Sequence, residues 1–315
     1  MIRSISRWIW SLAAVIGLIA VSGLVFRFPW RHTLETLAQV NAGLLATALL
    51  INLLVPLSKG WAWHLLLNTV APHRWRVAQE ATLIGSAVNS LTAGVAGEAA
   101  RISVVMQRDG VPLRPAVLSV VWSRAVEGLG LGLFLVLAPL ELPLSGTLRG
   151  LQVAAGVAFV AVLALSRLRG WERLVARLPE ALRAGAADLA AMSWGGRLIA
   201  PTALALVSWA AEWAVYHLTL QAAHVDVPYA ASLTALIAVN VGGLIRLTPA
   251  NVGIMQAAMV GALLPYGVAP DEAIAAGVAL QAIQVLPVLV LALGVAGWTG
   301  LARPLRGDEG SREPA

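Results

Sequence analysis

Four charged side chains inside an apolar chain offer the chemistry. Glu98 and Arg101 stand in Asn89-Ser-Leu-Thr-Ala-Gly-Val-Ala-Gly97-Glu98-Ala-Ala-Arg101, and Arg124 and Glu127 stand in Ser123-Arg124-Ala-Val-Glu127. Each pair is separated by three residues, which places both side chains on one face of a helix, within reach of each other. A charge at the centre of a bilayer costs about 2.5–3.5 kcal/mol on insertion scales, so such groups pair or serve a use. One reading is a buried ion pair that locks helices together. The other takes Arg101, Arg124 and a later arginine, Arg246, as a basic lining for phosphate oxygens, which the planar guanidinium grips two at a time. On that reading Glu98 holds an arginine in place or carries a coupling proton.

Arg246 belongs to a second polar stretch, Asn240-Val-Gly-Gly-Leu-Ile-Arg246-Leu-Thr-Pro249-Ala-Asn251-Val-Gly253-Ile-Met-Gln256. Both stretches mix helix-breaking residues with polar side chains. Non-helical backbone at bilayer depth is tolerated only where protein buries it or where it lines a watery cavity. A matched pair in two halves of a membrane protein points to a transport site. For Asn89, Asn240, Asn251 and Gln256 the simpler role is to satisfy backbone groups freed by the breaks, and Gly94, Gly97, Gly242, Gly243 and Gly253 permit turns and close contact. Glu212 and His217 flank a face with Trp209, Trp213 and Tyr216, but a five-residue separation suits no shared metal. His64, His73 and His224 fall at span ends, as interfacial residues do. HExxH, DxxD, P-loop and GxSxG patterns are absent from the sequence, so a metalloenzyme or an ATP-driven pump has no support and no cofactor is expected.

The elements that must position these residues follow from composition. Of 315 residues, 59% are hydrophobic and 12% charged; a soluble domain carries about 25% charged residues. The net charge of +6 comes from arginine, with Lys59 the only lysine. It is dispersed between apolar spans rather than gathered on one aromatic-laced face, which argues against nucleic acid as a partner. There is no cysteine, which excludes disulfides and thiolate sites. Six runs reach the roughly 20 residues a span requires: Trp8–Phe26, Val40–Leu67, Val117–Leu137, Leu148–Ser166, Leu198–Gln221 and Ala273–Trp298. The first reads as an uncleaved anchor. The second is overlong, with Lys59 expected to snorkel to the interface beside Trp61 and Trp63.

Charge placement sets the topology. With both termini in the cytoplasm, Arg74, Arg76, Arg101, Arg108 and Arg114 share that side only if residues 79–100 form a re-entrant hairpin. The same logic makes 231–265 a hairpin from the outside, and the outer loops near Glu141, Asp226 and Asp271-Glu272 hold no Lys or Arg. Only Arg27 and Arg31 dissent. The expected fold is all-α: a polytopic helical bundle with two broken-helix hairpins in an inverted-topology repeat. It divides into an anchor (1–39), a first unit (40–147), a linker span and amphipathic connector (148–197, with Arg167–Met192 lying on the membrane), a second unit (198–300) and a disordered cytoplasmic tail (301–315). Gly110-Val111 lies twelve residues after Glu98, and Gly267-Val268 eleven after Gln256. Ala116 and Ala273 follow those glycines by six, and Arg124 and Gln281 follow the alanines by eight.

The pattern Asn89…Gly97-Glu98…Arg101…Gly110-Val, then Ser123-Arg124…Glu127, resembles the transmembrane region of lysylphosphatidylglycerol synthases and their stand-alone flippase-like relatives. Thr248-Pro249…Gly253…Gln256…Gly267-Val…Glu272-Ala273 fits the same family's later motif, and the likeness covers roughly residues 40–300. The chain departs where Ala93 replaces a usual proline, Val95 stands near a usual basic residue, Gln256 replaces a glutamate, and Ala250-Asn251 replaces a glycine doublet. The resemblance implies a bacterial cytoplasmic-membrane protein that moves a lipid with an anionic headgroup between leaflets, not an enzyme. The aminoacylating members carry an additional C-terminal catalytic domain, which is not expected here. Arg124, Glu127, Glu98, Arg101, Arg246, Asn89, Asn240 and Gln256 would then meet the headgroup. An accessory subunit for a lipid-modifying enzyme or glycosyltransferase, docking through Arg167–Met192, is the alternative. An intramembrane lipid transferase would have to use Glu98 or Glu127 beside Arg124, and ranks last.

Overall fold

The computed structural model describes residues 39–92, 96–137, 197–243 and 251–299, with a few isolated positions between them. Among the described residues every regular element is helical. Four stretches are long and apolar enough to cross a bilayer: Ala42–Leu67, Leu113–Leu137, Ile199–Ala222 and Pro270–Trp298. They correspond to four of the six expected spans. The others, Trp8–Phe26 and Leu148–Ser166, lie wholly or largely outside the described residues, as do Arg167–Met192 and the tail. Leu50, Val121, Leu286, Val290 and Leu293 are each more than half exposed along these helices, a surface that belongs in lipid rather than water. The chain is a multi-pass membrane protein.

The overlong second run is two helices, α1 (Ala42–Asn52) and α2 (Leu54–Leu67). The side chain of Asn41 caps α1, accepting from the backbone N–H groups of Gly43 and Leu44 at 3.0 and 3.1 Å. Pro56 explains the break: it has no N–H for the carbonyl of Asn52 four residues back, and its ring crowds that carbonyl. A second proline, Pro287, sits inside the last helix and withholds its bond from the carbonyl of Ile283 in the same way. The buried side chain of Asn52 donates to that carbonyl at 2.9 Å. One amide at the first break thus repairs the second, as the lipid interior demands.

Next come α3 (Trp75–Leu91), α4 (Ala96–Asp109) and α5 (Leu113–Leu137). The first two are antiparallel arms. At their base Arg74 pairs with Asp109 at 2.7 Å and Arg108 pairs with Glu80. At their tip the N–H of Gly97 donates to Asn89 Oδ1 at 2.9 Å. Between them a methyl group on Gly97 would strike the carbonyl of Gly85 and the side chain of Asn89, so glycine is what lets the backbones meet. The arms run past the expected 79–100 at both ends, because the base ion pairs fold the polar residues into helix.

The second half repeats the order. A long helix α6 (Ile199–Ala222) leads to α7 (Tyr229–Gly242) and α8 (Ile254–Leu263), which continues as a 3-10 turn, Leu264–Tyr266. A last helix, α9 (Pro270–Thr299), follows. Thr234 Oγ1 and Tyr266 Oη, 3.0 Å apart, tie the base of this pair. At its tip Gly253 has φ +86°, a conformation that glycine adopts without strain, and its N–H donates to Gln256 Oε1 at 2.7 Å. In each half the first arm packs on the preceding long helix and the second arm on the following one. The halves join through α6, which lies against α1, α2 and α5, and through α9 against α3. Leu66, Trp122, Val126 and Ala205 form a small apolar cluster at the first seam.

Candidate functional site

Helix positions bring the charged residues together. Glu98 is the third residue of α4, and Arg124 lies eleven residues past the start of the 25-residue α5. At a rise of 1.5 Å per residue, Arg124 is about 17 Å from one end of its helix and about 20 Å from the other. That is the middle of an apolar layer about 30 Å thick. From Glu98 to the base of α4 at Asp109 is the same eleven residues, so the tip of the first pair reaches the middle of α5.

There Arg124 bridges two carboxylates, bonding Glu98 through one terminal nitrogen and Glu127 Oε2 through the other at 2.8 Å. Arg101 NH1 lies 3.8 Å from Glu98 Oε2, and its guanidinium carbon sits 3.8 Å above the ring of Trp63, a cation–π contact. The ring itself is fixed, since Trp63 Nε1 donates to Ser119 Oγ at 2.9 Å. Lys59 Nζ is 5.9 Å from the centre of the Trp209 ring, and Trp209 Nε1 donates to the backbone carbonyl of Glu127 at 2.9 Å. Glu127 thus stands in the field of Lys59, Arg124 and Arg101.

Three cations therefore meet two carboxylates, and one positive charge is left over. The cluster also has unused bonding capacity: Arg101 Nε and Glu98 Oε2 are buried without a hydrogen-bond partner. The side chain of Arg124 is 46% exposed, whereas that of Arg101 is 7% exposed. One guanidinium is accessible and the other is held inside. A buried donor without an acceptor is costly, and an incoming oxyanion would meet both that donor and the surplus charge.

The amides of the second half form a different group. Gln256 is the third residue of α8, and Gln281 lies eleven residues past the start of α9. These are the helix positions of Glu98 and Arg124, and the two glutamines are likewise in contact: Gln256 Nε2 donates to Gln281 Oε1 at 2.7 Å. Asn240 stands apart from both groups. Its Nδ2 donates to Glu212 Oε1 at 3.2 Å and to the carbonyl of Leu236 at 2.9 Å. His217 is not with Glu212; its ring lies 4.2 Å from that of Tyr229. Among the described residues no three His, Asp or Glu side chains group as a metal site would.

Of the eight residues singled out in the sequence, Glu98, Arg101, Arg124 and Glu127 form one cluster, with Asn89 bonded to the residue before Glu98. Gln256 and Asn240 lie in separate contacts, and Arg246 falls outside the described residues. Lys59, Trp63 and Trp209 were not among the eight. Lys59 does not sit at the end of its span: it is half-buried, the sixth of the 14 residues of α2, and turned toward α6. The signal was there in part, since Lys59 and Trp63 are four residues apart and share a helix face.

No curated protein matches the chain. The family model described as the lysylphosphatidylglycerol synthase TM region matches residues 8–292. The match takes in three of the four described spans, both pairs of short helices and the fourth span as far as residue 292, and on it the chain belongs to the family of the lysylphosphatidylglycerol synthase transmembrane region.

Proposed function

We propose that the protein is a lipid translocase of the flippase or scramblase type, moving a phospholipid with an anionic headgroup between leaflets. It acts by transport and not by bond chemistry, in the cytoplasmic membrane of a bacterium, with both termini in the cytoplasm. The α3–α4 and α7–α8 pairs would be re-entrant hairpins entering from opposite faces, so that the two halves form an inverted repeat. Family membership ties the chain to lipid metabolism or transport. The observation that carries the finer reading is the mid-span charge cluster, with its surplus positive charge and the unbonded Nε of Arg101.

In this scheme the headgroup travels a polar path while the acyl chains stay in lipid. Arg124, the more exposed cation, exchanges Glu98 or Glu127 for a phosphate oxygen. Arg101, held by Trp63, offers its free donor to a second oxygen. The carboxylates keep the arginines oriented and reclaim them when the headgroup leaves, so binding is reversible. Such exchange suits a transporter, because a site that binds too tightly does not release. The test is headgroup translocation in vesicles holding the purified full chain, read with fluorescent phosphatidylglycerol and a membrane-impermeant quencher. Arg124→Ala is expected to reduce translocation to the level of protein-free vesicles while the protein stays folded. Translocation at the wild-type rate in that variant would sink the assignment.

A further inference from the structure

A second charged site lies at the other end of the first helix pair. Where α3 begins and α4 ends, a cavity of about 290 Å³ is lined by Arg74, Arg76, Val77, Glu80, Arg108 and Trp298. It is well separated from the mid-span cluster: Arg108 is ten residues beyond Glu98 on α4, about 15 Å along the helix. Trp298 is the last residue of its span and is 90% exposed. Next to Arg74 and Arg76 in sequence, Trp75 has its ring 5.6 Å from that of Trp61, and each of the two is a little under half exposed. Exposed tryptophans at span ends mark the headgroup level of a bilayer.

Two of the three arginines are anchored. Asp109, itself buried, holds Arg74, and Glu80 holds Arg108, so these guanidinium groups are preset in direction. Arg76 is exposed and has no ion-pair partner among the described residues. Counting Arg74, Arg76 and Arg108 against Glu80 and Asp109 leaves one positive charge for an outside anion. The volume is at the lower edge of the usual range for small-ligand pockets, about 300–1,000 Å³. It suits a headgroup and not a whole lipid.

We propose that this cavity is an interfacial site for a phosphate-bearing anion, gripped by Arg76 with Arg74 and Arg108 behind it, and with Trp298 as its lip. The phosphate is that of an anionic lipid headgroup or a free phosphate ester; the chemistry of recognition is the same. The site does not depend on translocation, and its test reads binding alone.

The full chain is placed in phosphatidylcholine nanodiscs with a rising fraction of phosphatidylglycerol, and bound phosphatidylglycerol is measured by native mass spectrometry. A parallel arm adds glycerol phosphate in solution to lipid discs of phosphatidylcholine alone. Wild-type protein is expected to prefer the phosphatidylglycerol or bind the glycerol phosphate, the responding arm identifying the source. Arg76→Gln removes a charged contact without breaking an internal pair and should weaken that binding about tenfold. Glu80→Gln frees Arg108 and should strengthen it, a rise that no folding defect would produce. The proposal is overturned if neither probe binds in preference to phosphatidylcholine, if Arg76→Gln binds as wild type does, or if Glu80→Gln fails to gain.

Discussion

The tips of the two helix pairs meet their long helices at the same positions with different chemistry. On the first side Glu98 meets Arg124, with Arg101 and Glu127 completing a charged cluster. On the second, Gln256 meets Gln281 through a neutral amide bond. The second half is therefore a control carried within the same molecule. A short helix can dock its third residue on the middle of a long one with amides alone, so docking does not require charge. Buried ion pairs are weak or unfavourable next to neutral packing of similar shape, and a bilayer raises the penalty. The charges in the first half exceed what packing needs, which is the reason for assigning them a task.

Three variants probe that contrast. The largest effect is expected for Glu98→Ala, which removes the ion-pair partner of buried Arg101 and one of the two held by Arg124. Breaking a buried pair on one side typically costs about 3–5 kcal/mol, and a thermal or chemical unfolding measurement in detergent should show a loss on that scale. Gln256→Ala should be milder. It frees the N–H of Gly253 and one end of Gln281, two neutral bonds at about 0.5–1.5 kcal/mol each, so the same assay should show about 1–3 kcal/mol. A third variant rewrites the first half as the second. The double variant Glu98→Gln with Arg124→Gln keeps an amide pair at the contact and leaves Arg101 its place on Trp63. Its stability should fall by less than that of Glu98→Ala, because one charge of each sign leaves together and Arg101 stays in the field of Glu127. A loss as large as that of Glu98→Ala would mean that the charges hold the fold together after all.

Much of this arrangement can be read in the sequence. The four spans stand out as apolar runs, and three-residue spacing pairs Glu98 with Arg101 and Arg124 with Glu127. The intervals from Glu98 to Arg124 and from Gln256 to Gln281 already align the two contacts that the helices then form. What escapes the sequence depends on helix phase. The run 40–67 reads as overlong with Lys59 near its end, but α2 turns the face that carries Lys59 to α6, and its amine lies 5.9 Å from the centre of the Trp209 ring. The arms of the first pair also outgrow 79–100, because Arg74, Glu80, Arg108 and Asp109 look like loop residues until they neutralise one another across two helices. Pairing between distant charges is a tertiary fact, and local spacing does not contain it.

The double variant also separates docking from function. Headgroup translocation is to be measured in vesicles holding Glu98→Gln with Arg124→Gln, beside wild type and at matched protein density, once its unfolding midpoint is shown to be near that of wild type. If the charge cluster receives the headgroup, this folded variant should move lipid no faster than protein-free vesicles do. Translocation at the wild-type rate through a Gln–Gln pair would contradict the account, and would return Glu98 and Arg124 to the structural role that Gln256 and Gln281 already fill.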